Sequence, residues 1–236
     1  EFRRVLFRSA QYFMERLIVL DTETTGIEPS EGHRIIEIGC TEIVDREITE
    51  NNEYHQYVQP ERNVGDSVRI HGITDKFLTG KPKFEEIVSE FMDYIKGATL
   101  VIHNAPFDLG FLNHELKLFG SDERIEDHCT IIDSLELSKQ QRPGTLHNLD
   151  SLCRRFEIDA SARTVHGALL DAQILAQVYL AMTGGQSTLF SNEQSSGAED
   201  KKNQKIIRVN RDLGKIKIVQ VSEKELEAHR TYFENV

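Results

Sequence analysis

The sequence has few cysteines, no long apolar run and fewer basic than acidic residues, and each of these features argues against a class of protein. Three cysteines are an odd number without short metal-type spacing, which argues against a disulfide framework and favours a reducing, cytoplasmic setting. No apolar run approaches the roughly 18 residues that a membrane helix needs. The 39 Asp and Glu outnumber the 28 Lys and Arg and give a net charge of −11, so tight autonomous binding of nucleic acid is disfavoured.

The composition divides the chain into four segments. Residues 1–13 match no strand or helix period and precede Met14, so we interpret them as a non-native leader. Residues 14–182 carry the apolar periodicity of one α/β domain. Residues 183–205 are polar and rich in Gly and Ser, which predicts a flexible linker. Residues 206–236 regain apolar positions but are too few to fold alone, which predicts a segment that docks on a partner.

Hydrophobic periodicity within the domain predicts a mixed β-sheet flanked by helices. Gly, Pro and Ser in residues 26–32 indicate a hairpin-like turn, so the first two strands should be antiparallel neighbours. Farther along, a helix precedes a buried strand, which implies a crossover connection. The predicted strands are 16–20, 34–40, 54–59, 99–102 and 129–132, and the predicted helices are 84–95, 107–119, 145–156 and 167–182. Cys40, Cys129 and Cys153 are expected in the core.

Acidic residues follow these elements at positions where ligands commonly bind. The period of a strand would put Asp21 and Glu23 on one face, where two carboxylates repel unless cations lie between them. All-oxygen ligands of this kind suit Mg²⁺ or Mn²⁺ rather than zinc. Asp108 lies in a first helical turn after a buried strand, where open α/β sheets bind ligands. His166 and Asp171 bracket the start of the last helix. Each of these residues alone would be an ordinary cap or surface residue.

Together the residues form three motifs in a specific order. Asp-Thr-Glu-Thr-Thr-Gly at 21–26, Asn-Ala-Pro-Phe-Asp at 104–108 and His-Gly-Ala-Leu-Leu-Asp at 166–171 resemble the motifs of the DEDDh family of 3′→5′ exonucleases. The resemblance covers residues 14–182, and it extends to the branch that proofreads for bacterial DNA polymerase III. It implies a ribonuclease H-like fold and a metal-dependent exonuclease domain that acts on single-stranded or mispaired DNA 3′ ends.

The resemblance also implies roles for individual residues. Two divalent cations, Mg²⁺ or Mn²⁺, would be held by Asp21, Glu23 and Asp171, with Asp108 completing the site, and would clamp the attacking and leaving oxygens. His166 would accept a proton from the attacking water, since imidazole exchanges protons near neutral pH. His71 would contact the terminal nucleotide, and packing beneath its own loop is an equally open alternative for this residue. The residues implied to contact substrate are Asp21, Glu23, Thr24, Asp66, His71 and Asp171.

The C-terminal segments carry a resemblance of their own. Residues 186–190 resemble the pentapeptide by which bacterial replication proteins bind the sliding clamp, in which Gln186 precedes the apolar pair Leu189 and Phe190. Residues 206–236 would bind the alpha subunit of DNA polymerase III, and a small accessory subunit is a further expected partner. Two alternatives stay open: a ribonuclease T-like or oligonucleotide exonuclease, and a non-catalytic adaptor that links clamp and polymerase.

Overall fold

The computed structural model describes residues 16–49, 52–161, 163 and 165–184. The predicted leader at 1–13, the pentapeptide at 186–190 and the docking segment at 206–236 lie outside the described residues, as does most of the predicted linker. Among the helices that are described, none is long and apolar enough to cross a membrane.

One mixed sheet forms the centre of the described chain. Its strands are β1 (Arg16–Thr24), β2 (Ile35–Val44), β3 (Glu47–Ile48), β4 (Tyr54–Tyr57), β5 (Thr99–Ile102) and β6 (Thr130–Asp133). Their order is β3-β2-β1-β5-β6, with β4 also paired to β2. β1 is antiparallel to β2 and parallel to β5, which confirms the predicted antiparallel neighbours and the mixed α/β fold class.

Helices flank this sheet. They are α1 (Val68–His71), α2 (Asp75–Leu78), α3 (Phe84–Ile95), α4 (Ala105–Leu118), α5 (Ile125–His128), α6 (Ser134–Gln141), α7 (Leu149–Phe156) and α8 (Ala168–Gly184). The predicted helix 84–95 and strand 99–102 coincide with α3 and β5. Gly97 has a φ of +72°, a left-handed conformation that suits glycine just after a helix end.

Other predicted bounds were wrong, for identifiable reasons. β1 does not end at Leu20 but continues to Thr24, because its hydrogen-bonded ladder with β2 persists beneath the polar side chains. The predicted helix 145–156 begins only at Leu149, where the Asn148 side chain accepts a hydrogen bond from the Ser151 backbone and caps it. The prediction missed β3, α1, α2, α5 and α6, which are too short or too polar to show a hydrophobic period.

Alternation along β1 separates two hydrophobic cores. Ile18 and Leu20 pack in a cluster with residues of α3 and α4, whereas Leu17 and Val19 pack in a cluster with residues of α8. The three cysteines are free and buried, as predicted. Because side chains alternate between the faces of a strand, the polar residues that follow Leu20 are divided between the same two sides.

Candidate active site

The site begins on the face of β1 that looks toward α8. The strand register pairs Asp21 with Gly39 of β2, and Glu23 with Glu37. Directly opposite residues in an antiparallel pair project from the same face. Three acids and one glycine therefore share a small patch of the sheet. The predicted placement of Asp21 and Glu23 on one face agrees with this register.

The N-terminus of α8 packs closely onto this patch. A Cβ at Gly39 would lie only 2.1 Å from the backbone nitrogen of Leu169 and 2.2 Å from the carbonyl carbon of Ala168, so only glycine leaves room for the helix. The backbone N–H of Ala168 donates to Oε2 of Glu37 at 3.2 Å. Glycine and glutamate together hold the start of α8 on β2, and this contact brings Asp171, buried in the first turn, to the acids of β1.

Three of the five predicted catalytic residues converge tightly. One potential ligand atom each from Glu23, His166 and Asp171 lie within 4.8 Å of one another. Asp21 lines the same cavity, which has a volume of about 410 Å³. His166 precedes α8 and is half exposed, and its Nδ1 lies 3.4 Å from Oδ2 of Asp171. The cavity thus combines carboxylates and one imidazole that solvent can reach.

Asp108 occupies a different position from the other acids. It is buried in the first turn of α4, and its Oδ1 accepts a hydrogen bond from Oγ1 of Thr22 at 2.7 Å. Thr22 lies between Asp21 and Glu23 in sequence and faces the opposite side of β1. Asp108 is not among the residues that line the cavity, but its charge raises the pKa of Asp21. This hydrogen bond therefore connects the motif at 104–108 with the motif at 21–26.

Burial and mutual repulsion disturb the ionisation of these acids. Burial, together with repulsion from Asp171 and Glu37, raises the pKa of Glu23 to about 8. Burial also raises the pKa of Asp21 well above its usual range, with further repulsion from Asp108 and Glu23. Burial raises the pKa of Asp108 to about 7, against the opposing effect of the Thr22 hydrogen bond. A bound cation would remove the cause of this repulsion.

The other predicted substrate residues are spread around the site. His71 is buried, and its Nδ1 accepts a hydrogen bond from the Ile73 backbone N–H at 3.0 Å. Its Nε2 has no hydrogen-bond partner among the described residues. Thr24 is buried at the end of β1, and its hydroxyl donates to the Gly26 carbonyl at 2.5 Å. Asp66 is exposed, pairs with an arginine 3.5 Å away, and does not line the cavity.

Four residues of the site were missed from the sequence. Glu37 interrupts the apolar run Ile-Ile-Glu-Ile, a signal that could have indicated a buried acid with a function. Thr22 and Gly39 depend on strand register, which the sequence does not reveal. Arg163 lines the cavity and pairs with Asp171, and nothing in its neighbourhood of the sequence distinguishes it from a surface arginine.

The donor set fits an oxygen-preferring divalent cation. Carboxylate oxygens are the preferred ligands of Mg²⁺ and Mn²⁺, and the carboxylates of Asp21 and Glu23 are buried and repelled by neighbouring acids, which raises the pKa of both. The site lies where β1 of a mixed sheet meets the first turns of two helices. Fold and site together define a cation-dependent hydrolase of the kind that cleaves phosphodiesters.

Comparison with known proteins narrows this class. The profile of the family described as Exonuclease (RNase_T) matches residues 18–179, and the chain belongs to this family, which is divalent-metal dependent. The DNA polymerase III subunit epsilon of Salmonella typhimurium is 48% identical over 222 residues, which cover 92% of this chain and 91% of that protein. The protein of the same name from Escherichia coli K12 is 48% identical over 220 residues, which cover 91% of this chain and 90% of that protein.

A solved structure shows the same fold. The nuclease domain of 3′hExo, a DEDDh family member bound to rAMP, superposes with a TM-score of 0.62 at 19% identity, covering 73% of this chain and 94% of that chain. The likeness confirms the predicted ribonuclease H-like architecture. The family comparison likewise confirms the resemblance to DEDDh exonucleases.

Proposed function

We propose that this chain is the 3′→5′ exonuclease that proofreads for DNA polymerase III, hydrolysing the terminal nucleotide of single-stranded or mispaired DNA 3′ ends. The observation that carries the proposal is the convergence of Glu23, His166 and Asp171 within 4.8 Å, beside Asp21 in one cavity. The 48% identity to epsilon subunits along nearly the whole chain supports the same function.

The acids would hold two divalent cations, Mg²⁺ or Mn²⁺. Asp21, Glu23 and Asp171 line the cavity and would be the direct ligands. Asp108, which accepts a hydrogen bond from the Thr22 hydroxyl, would complete the site by adding negative charge. Such ions, when bound, lower the pKa of a coordinated water and neutralise charge on the phosphoryl oxygens. Burial raises the pKa of Asp21 and of Glu23, repulsion from neighbouring carboxylates raises both further, and bound cations would relieve that repulsion.

His166 would serve as the general base. Its imidazole is half exposed at the cavity, where it can take a proton from the attacking water and later release it to solvent. The Asp171 carboxylate, 3.4 Å from Nδ1, would stabilise the imidazolium that forms. The backbone N–H of His166 donates to the Ile70 carbonyl at 3.2 Å, which fixes the loop that carries the imidazole.

His71 is the described residue best suited to bind the substrate. Its Nδ1 accepts a backbone hydrogen bond, so the ring proton of the neutral imidazole lies on Nε2, which lacks a partner among the described residues. Burial lowers the pKa of His71, which favours the neutral form. A buried donor without an acceptor is costly, and an oxygen of the terminal nucleotide would satisfy it. The proposal also includes a contact between Thr24 and the substrate. For Asp66, a contact with the substrate remains a prediction.

The proposal includes the segments beyond the catalytic domain at 14–182. After a linker at 183–205, residues 206–236 would dock on the alpha subunit of DNA polymerase III. The apolar pair in the pentapeptide 186–190 would bind the sliding clamp, with Gln186 at its head and Leu189 and Phe190 filling an apolar pocket. A small accessory subunit is a further proposed partner. Delivery by a polymerase would compensate for the low affinity for DNA that a net charge of −11 predicts.

Release of 3′-terminal nucleotides from labelled DNA by the full chain tests the function. We expect activity with Mg²⁺ or Mn²⁺, faster on single-stranded and mispaired ends than on paired ends. His166→Gln should lower kcat by at least about 100-fold, which is a typical contribution of a general base. Asp21→Asn should be at least as damaging.

Matched substitutions away from the cavity serve as controls. His128→Gln and Asp159→Asn alter an exposed ion pair and an exposed loop, and both should retain wild-type rates. Retention of most activity by both cavity variants would refute the proposed site. A strong preference for RNA 3′ ends under the same ionic conditions would instead favour a ribonuclease T-like function.

A further inference from the structure

Arg163 engages three groups of the cavity wall at once. Its Nε and Nη2 donate to the two carboxylate oxygens of Asp171 at 2.5 and 2.7 Å. The remaining Nη1 donates to Oδ1 of Asp150 at 2.5 Å. Nη2 also lies 2.8 Å from Nδ1 of His166. Only 10% of the Arg163 side chain and 4% of the Asp171 side chain are exposed, so the contact between these two residues is shielded from water.

The contact with His166 determines which imidazole nitrogen is free. Arginine can only donate hydrogen bonds, so Nδ1 of His166 must be the acceptor. The lone pair on Nδ1 is then occupied by Arg163, and the ring N–H lies on Nε2. A general base needs that lone pair for the proton of water. With Arg163 in this position, His166 cannot perform the proposed reaction.

The contact with Asp171 conflicts in the same way with a bound cation. Both oxygens of Asp171 carry a charged donor, and a divalent ion on the same carboxylate would lie a few ångströms from the guanidinium, where like charges repel. Arg163 is also the one Lys or Arg that lines this cavity in the part of the chain that the structure describes. It supplies the positive charge that a cation would otherwise bring.

We propose that Arg163 competes with the divalent cation for Asp171 and holds His166 inactive until the cation displaces it. The inference rests on the proposed function, because it concerns the same ligand and the same base. Asp150 gives the displaced side chain a partner. Its carboxylate lies in the first turn of α7, is 60% exposed on its side chain, and bonds to the one guanidinium nitrogen that touches neither Asp171 nor His166. Arg163 would remain attached there as it withdraws.

Calorimetric titration of the cation-stripped full chain with Mn²⁺ tests the competition without measuring catalysis. Arg163→Gln should bind Mn²⁺ about tenfold more tightly than wild type, since a hydrogen bond to a charged group is of that order. Arg163→Lys keeps the charge but loses the two-pronged contact, so its Kd should fall between the two. Arg154→Gln removes one positive charge from an exposed residue of α7 that bonds to Ser151, and its Kd should match wild type.

The comparison of these variants separates competition from a general charge effect. A wild-type Kd for Arg163→Lys would refute the competition, as would weaker Mn²⁺ binding by Arg163→Gln in a chain whose melting temperature in saturating Mn²⁺ matches wild type. If wild type itself neither binds Mn²⁺ nor degrades DNA, the proposed function fails. If wild type does both and the variants bind no more tightly, only the present inference fails.

Nitrogen NMR of the imidazole gives a second readout that a purely structural role would not move. The Nδ1 resonance of His166, assigned by comparison with His166→Gln, should carry the signature of a hydrogen-bond acceptor in cation-stripped wild type. Saturating Mg²⁺ should shift it toward its position in cation-stripped Arg163→Gln. An Nδ1 resonance that Mg²⁺ leaves unchanged would overturn the proposal.

Discussion

Replacement of Gly39 by alanine should damage catalysis through the position of a helix, without changing any group that performs chemistry. The added Cβ would lie 2.1 Å from the Leu169 nitrogen and 2.4 Å from its Cα. Ordinary van der Waals contact begins near 3.4 Å, so the start of α8 has to move by about 1 Å or more. Asp171 and His166 would move with the helix, away from the acids of β1.

The size of the effect follows from this displacement. A shift of about 1 Å at a catalytic group can cost about 100-fold in rate. Overpacking of a tight core contact costs about 1–3 kcal/mol of stability. We therefore expect kcat of Gly39→Ala to fall by about 100-fold in the labelled-DNA assay, and its urea midpoint to fall as well.

Gly110→Ala provides the matched control. Gly110 lies within α4, and apart from its chain neighbours and its own helix backbone no atom of the described residues lies within 4 Å of its added Cβ, so alanine should be neutral or stabilise the helix by up to about 1 kcal/mol. Wild-type kcat in Gly39→Ala, with Gly110→Ala unchanged, would refute the close approach of α8 as the feature that positions the site.

Three further predictions concern the acids. Thr22→Val removes the hydroxyl that donates to buried Asp108, and the free energy of unfolding in urea should fall by about 1–3 kcal/mol; no loss would contradict the bond at 2.7 Å. Glu115→Gln weakens the two-pronged contact between buried Glu115 and partly exposed Arg34 and should destabilise by about 1.5–3 kcal/mol, whereas Glu136→Gln at an exposed pair should change little. With a chelator present, the free energy of unfolding should fall as the pH rises from 4.5 to about 8. Folding raises the pKa of Glu23, so the unfolded state binds fewer protons than the folded state in that window. A melting temperature that stays flat or rises there would contradict this, and Mn²⁺ should reduce the slope.

The sequence predicts the elements that have a strong apolar period. Phe84, Ile87, Val88, Phe91 and Ile95 recur on one buried face, and α3 has the predicted bounds. Strand alternation predicts that Asp21 and Glu23 share one face of β1, whereas only the resemblance to DEDDh exonucleases predicts that Asp171 joins them in one site. What these patterns cannot supply is the register between β1 and β2, which is set by long-range pairing.

Residues that act through long-range pairing were therefore missed. Gly39 matters because it lies opposite Asp21 and beneath α8, and neither relation is visible from its neighbours in sequence. Arg163 is eight residues from Asp171 along the chain, and its side chain reaches the carboxylate only through the fold of the intervening loop. Its partner Asp150 comes from a separate helix, α7, that the periodicity located imprecisely.

The predicted end of β1 at Leu20 was wrong because the residues that follow it are the polar residues of the site. Asp21 and Glu23 on β1 and Glu37 on β2 interrupt the apolar pattern that identifies a strand, yet all three lie within the hydrogen-bonded ladder. A cluster of buried acids weakens the fold locally, and a rigid sheet is needed to hold the carboxylates together against their repulsion. Pattern and structure therefore disagree where function overrides local stability, and a polar interruption of an otherwise continuous strand is itself an indication of a site.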